Sequence, residues 1–121
     1  MFTQRSICIA FALTLSLPIT TSAQWFVDVN NNSGNEDGVS WDTAFTTIQP
    51  ALDVASSGGG EVWVASGTYS EERVSPGEEN TGALFVPAEV ILLGGFNGSE
   101  VEESERDHTE NETIIEGGTS L

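Results

Sequence analysis

Lysine does not occur in this 121-residue chain, and arginine occurs three times, at Arg5, Arg73 and Arg106, against nineteen acidic residues. The formal net charge is −16. Nucleic acid and anionic membrane bind proteins whose basic groups displace their counterions, so charge excludes both as partners. Loops that cradle phosphate are absent as well. The single cysteine, Cys8, lies near the N-terminus. It lacks the flanking pattern of an acylated lipoprotein cysteine. A disulfide framework and a thiolate zinc site are therefore excluded. His108 is the only histidine, and without a second histidine or a cysteine it makes a poor metal or catalytic centre. No G-x-S-x-G occurs, and the serines show no familiar Ser/His/Asp order. Long apolar runs are missing too: residues 7–17 are too short for a bilayer, which takes about 20 residues.

That short run has a different meaning. One positive charge in residues 1–5, an apolar stretch over 6–17, Pro18 as a breaker and the small residues Thr21, Ser22 and Ala23 form a secretory leader. Residues 1–23 are predicted to be a signal peptide, cleaved after Ala23 to leave Gln24 first. The exported chain keeps Arg73 and Arg106 as its only permanent cations. So negative a surface suits screening by a saline medium, or the binding of divalent cations such as calcium.

Residues 24–29 carry Trp25, Phe26, Val27 and Val29 and read as a first strand. Residues 30–38 form a polar loop of turn formers. Its Asp28-x-Asn30-x-Asn32 spacing partly matches a calcium loop, but Gly34 falls one position late and Val39 stands where a bidentate glutamate is required. A helix begins after Thr47 as N-cap, with Pro50 in its first turn, and Phe45, Ile48, Leu52 and Ala55 along one side. Glycines 58–60 end it. Residues 61–65 form a strand with Val62 and Val64 inward and Trp63 outward or sideways, followed by a turn at 67–69. Residues 83–86 and 90–94 read as two further strands cornered at Pro87, residues 94–98 as a sharp turn and 113–117 as the last strand. The acidic stretch 99–112 shows no apolar periodicity and is expected to be an exposed insertion. The apolar runs centre near 63, 91 and 114, gaps of roughly 28 and 23 residues, inside the range of solenoid repeats.

Two groups of residues resemble one known family. Ser40-Trp41-x-x-Ala44-Phe45-x-x-Ile48-x-x-Ala51-Leu52 is followed by Val62-Trp63-Val64-Ala65-x-Gly67-Thr68-Tyr69. Then come Gly94-Gly95-Phe96-x-Gly98-x-Glu100, Arg106-Asp107 and Thr113-Ile114-Ile115-x-Gly117. Together they resemble the N-terminal cap and first coils of secreted bacterial right-handed parallel β-helix proteins, pectin-lyase-like and in part polymorphic outer-membrane-protein-like. The resemblance implies an all-β solenoid start with one capping α-helix plugging its open end: cap over 24–60, first coils over 61–121, acidic loop at 99–112. At this length it also implies an incomplete fragment.

The same resemblance leads to adhesins, surface proteins and polysaccharide lyases alike. The catalytic acids and calcium-binding aspartates of those enzymes lie on central coils, and no residue here matches one. The expected role is therefore structural, adhesive or carbohydrate-binding at the cell surface or outside it, with no catalytic activity and no cofactor. The alternative is the non-catalytic front end of a pectin-lyase-like polysaccharide lyase or glycosidase. Trp63 is the candidate exposed aromatic for stacking on a sugar, while Trp41 and Phe45 are expected to pack between the cap helix and the first coil. The carboxylates Glu100, Glu102, Glu103, Glu105, Asp107, Glu110 and Glu112 are the candidate calcium ligands. Asn31, Asn97 and Asn111 head N-x-Ser/Thr sequons.

Overall fold

The computed structural model describes residues 22–71 and 83–117. Residues 1–21 of the expected leader and most of the polar excursion at 70–82 lie outside the described residues. Five strands and one helix follow in order: β1 (Gln24–Val27), α1 (Ile48–Ala55), β2 (Gly60–Ala65), β3 (Gly67–Tyr69), β4 (Val90–Phe96) and β5 (Thr113–Ile115). Short 3-10 turns lie at Trp41–Thr43 and Glu103–Glu105. β1, β2 and β4 form one parallel sheet with β2 in the middle, and β3 pairs with β5 in a second, two-stranded parallel sheet.

This corrects the expected fold class. The chain is a small mixed α/β structure, one helix with short parallel strands in two small sheets, and the described residues form neither a solenoid nor a closed sheet. The physical reason lies in the first crossover. Parallel strands need a long connection, and a helix commonly supplies it. Here α1 is that connection between β1 and β2. It does not plug the end of a pile: Ile48, Ala51, Leu52 and Ala55 join Val27, Val62, Val64, Tyr69 and Val90 in one buried cluster. The helix thus covers a sheet face and supplies much of the core itself.

The helix begins where the apolar spacing places it, but its cap differs. Thr47 makes no side-chain capping bond. The Glu71 carboxylate accepts the Gln49 N–H at 2.7 Å instead, so an acid from after β3 satisfies the helix start and meets its positive dipole end. Gln49 in turn binds Phe85 through both amide atoms, accepting from its N–H at 3.0 Å and donating to its carbonyl at 3.1 Å. That grip occupies the groups a ladder needs, and residues 83–86, expected as a strand, are irregular. Two expected turns move as well. Residues 67–69 are strand β3, and Gly94 and Gly95 lie within β4, where the register shifts opposite Trp63 and Ala65.

Both of those glycines are required. A Cβ on Gly94 would lie 2.9 Å from the Cβ and Oγ1 of Thr113. Gly95 takes φ +93, in the left-handed region that favours glycine, and a Cβ there would meet the His108 backbone.

Candidate functional site

The outer face of the three-stranded sheet carries a cluster of four aromatic rings. Trp63 stacks on Phe96 at 4.5 Å between centroids, Phe26 meets Trp63 and Trp41 edge-on, and Trp41 leans on Phe96. Offset and edge-on pairs suit the ring quadrupoles and bury large apolar area. Trp63 is 1% exposed, and its indole N–H donates to Glu61 at 2.7 Å. The expectation of an exposed Trp63 for sugar stacking is thus corrected: Phe96 covers its face. Sequence pattern missed this because alternation placed Trp63 outside, whereas the bulge in β4 brings Phe96 over it. Trp41 packs in this cluster rather than against the helix, while Phe45 does pack against the helix core. Trp25 also packs against that core, and its Nε1 is buried with no hydrogen-bond partner among the described residues.

The candidate calcium carboxylates serve the backbone instead of converging. Glu100, 6% exposed, turns its carboxylate back on its own loop. It accepts the N–H groups of Asn97, Gly98 and Ser99 at 2.7–3.1 Å, and its carbonyl accepts the Trp41 indole N–H at 2.9 Å. This acid ties the loop after β4 to the aromatic cluster. The only sequence signal for it was its place in Gly94-Gly95-Phe96-x-Gly98-x-Glu100.

Glu105 and Glu102 form a reciprocal capping box around the 3-10 turn. Bonds from the Glu102 and Val101 N–H groups hold the Glu105 carboxyl below its ordinary value. Asp107 is likewise lowered, first by the Thr109 hydroxyl and then by the N–H groups of Thr109 and Glu110. Glu103 pairs with Arg106 at 3.3 Å, and Arg106 Nε donates to the Gly94 carbonyl. Glu110, Glu112 and His108 are exposed. Among the described residues no three acidic or histidine side chains are grouped to hold a metal ion.

In the Asp28–Asn32 loop the same pattern holds: Asp28 caps Asn30, and Asn31 spends its amide on the carbonyls of Asn35 and Ala44. Of the sequon asparagines, Asn97 is exposed and accepts the Ser99 hydroxyl.

Among the described residues no further strand pairs with the outer side of β4 or of β5. β4 ends one sheet and β5 the other. Since β2 runs directly into β3, their partners β4 and β5 lie on the same side. Ile115 stands in register with Tyr69, which is buried, yet Ile115 is 43% exposed. Ile114 and Ile91 are 41% and 54% exposed. Exposed carboxylates bracket these positions: Glu89 before β4, Glu112 and Glu116 around β5. Among the described residues no helix is long and apolar enough to cross a membrane.

These features describe a small α/β module whose acids hold its own backbone and whose last strands present an aliphatic edge. No family model, curated protein or solved structure matches the chain. Its likeness to pectin-lyase-like proteins rests on motifs alone.

Proposed function

We propose that this chain is exported and serves outside the cell or at its surface as a structural or adhesive module, without catalytic activity or a resident cofactor. One observation carries the reading. The acids that the sequence offers for hydrolysis or calcium, Glu100, Glu105 and Asp107 above all, are engaged as acceptors for backbone N–H groups. A carboxylate in that role is held in place by its own chain, whereas a catalytic acid must be free to exchange a proton with a substrate. The leader pattern of residues 1–23 and the acidic surface support export to a screened, saline medium. Polysaccharide and other cell-surface components are the proposed partners. With Trp63 buried, contact with them falls to exposed strand-edge and loop residues.

The test is expression with the leader in a secreting bacterial host. Mature protein beginning at Gln24 in the medium or on the surface is the expected result, together with no turnover of pectin, pectate or other acidic polysaccharides. Retention of the intact chain inside the cell would defeat the export reading. Unsaturated sugar products would favour the polysaccharide lyase instead.

A further inference from the structure

We propose that Asn97 is a self-modification site: the Gly98 nitrogen attacks its side-chain amide, ammonia leaves, and water opens the resulting succinimide to aspartate and isoaspartate. Three observations carry this. The first concerns the nucleophile. Asn97 is exposed and precedes Gly98, which takes φ +98, in the left-handed region that favours glycine. With no Cβ on Gly98, nothing on that residue shields its nitrogen from the neighbouring amide carbon.

The second concerns the base. Gly98 N–H donates to Glu100 Oε1 at 3.1 Å, and the same carboxylate accepts the N–H groups of Asn97 and Ser99 on either side. An amide nitrogen becomes a nucleophile only as its proton departs, and a carboxylate within hydrogen-bond reach can take that proton. The engagement that withholds Glu100 from a substrate thus places it on a reacting group of its own chain. The third concerns the electrophile. The Ser99 hydroxyl donates to Asn97 Oδ1, the atom that gains negative charge as the nitrogen adds to the amide carbon.

The step balances with water as its sole co-reactant. The Gly98 proton passes to Glu100 as the N–Cγ bond forms, and it returns to the departing amide nitrogen as the old C–N bond breaks. Water then adds to either succinimide carbonyl, and nothing is oxidised or reduced. One other pair in the sequence has the same form, Asp37-Gly38. There the Gly38 N–H donates to the Thr43 carbonyl at 2.7 Å, a group that cannot carry the proton away. The product bears on the loop itself. Its new carboxylate arises beside Glu100 and close to Asp28, whose Oδ2 lies 3.2 Å from where a Gly98 Cβ would stand, and like charges repel. Isoaspartate also lengthens the backbone by a methylene, so either product loosens the loop that Glu100 ties to Trp41.

The test is incubation of the full chain at neutral pH and physiological temperature, folded and in urea, followed by peptide mass mapping. Asn97 is expected to gain about one dalton, as aspartate and isoaspartate, at least as fast in the folded chain as in urea, and the product should melt at a lower temperature. Hydroxylamine, which cleaves succinimides, should cut between residues 97 and 98 and leave 37–38 intact. Ser99→Ala and Glu100→Gln should each slow the change at least about tenfold, with their melts confirming that both fold. Retention of the Asn97 amide in the folded chain while the unfolded chain loses it would overturn the proposal. So would unchanged rates in both folded variants.

Discussion

Glu100 and Tyr69 show how much two side chains can hold. Removing the Glu100 carboxylate leaves three N–H groups and the Trp41 anchor without their organising acceptor. Charge-assisted bonds of this kind are worth more than neutral ones. Glu100→Ala should cost about 3 kcal/mol, measured by urea unfolding, and Glu100→Gln distinctly less; equal stability of all three proteins would contradict the assigned role. Tyr69, the only tyrosine, buries a hydroxyl that donates to the Ala65 carbonyl at 3.0 Å and accepts from Val29 N–H at 3.1 Å. Burial pushes its hydroxyl up from 10.0 to about 12.

A group with a raised folded pKa stabilises fully below its unfolded value and loses that contribution as pH climbs through the folded one. On the order of 2 kcal/mol should therefore vanish between pH 10 and 12. Tyrosinate absorbance should rise together with loss of the tryptophan signal of the folded state, and a simple titration at 10 would refute the burial argument. At the acid end the sign reverses. Asp37, Glu105 and Asp107 are lowered by hydrogen bonds, so what they contribute persists above the ordinary carboxylate range and fades as pH falls through their own values.

At the scale of elements, α1 decides whether the core exists. Leu52 is fully buried among Ile48, Val62 and their neighbours. Leu52→Asp places an unpaired charge there and should prevent folding, whereas Glu103→Ala removes only an exposed pair and should change stability by less than about 0.5 kcal/mol. Comparable melting temperatures would refute the helix's place in the core. Much of α1 was legible beforehand, because the 3-and-4 spacing of Ile48, Leu52 and Ala55 is a local property. Its cap was not, because Glu71 lies 22 positions away from Gln49 and nothing local marks it as the acceptor. The strand at 60–65 was legible for the same reason as the helix. Strand β3 was mistaken for a turn because its partner, β5, is distant in sequence.

For the whole molecule, nineteen acids and three arginines make repulsion a persistent load on the compact state. Added sodium chloride should raise the melting temperature steadily from low ionic strength to roughly physiological levels, where the Debye length is about 8 Å. A flat or falling salt dependence would mean that local pairing already neutralises the load. The expected solenoid gave way at this scale too. The apolar runs near 63, 91 and 114 are strands β2, β4 and β5, but their spacing could not say which of them pair: β4 joins β2 in one sheet, whereas β5 pairs with β3 in the other.

Composition and local order alone determined the acidity, the lack of any thiol framework, the leader pattern, the helix and the inward pair Val62 and Val64. These depend on residue type and on neighbours within a few positions. Tertiary structure decided that Trp63 is covered by Phe96, that Glu100 closes its own loop, that α1 covers a sheet face and that β5 pairs with β3 while β4 pairs with β2. Each of those depends on which distant segments meet, and burial and hydrogen-bond satisfaction act only once they have met.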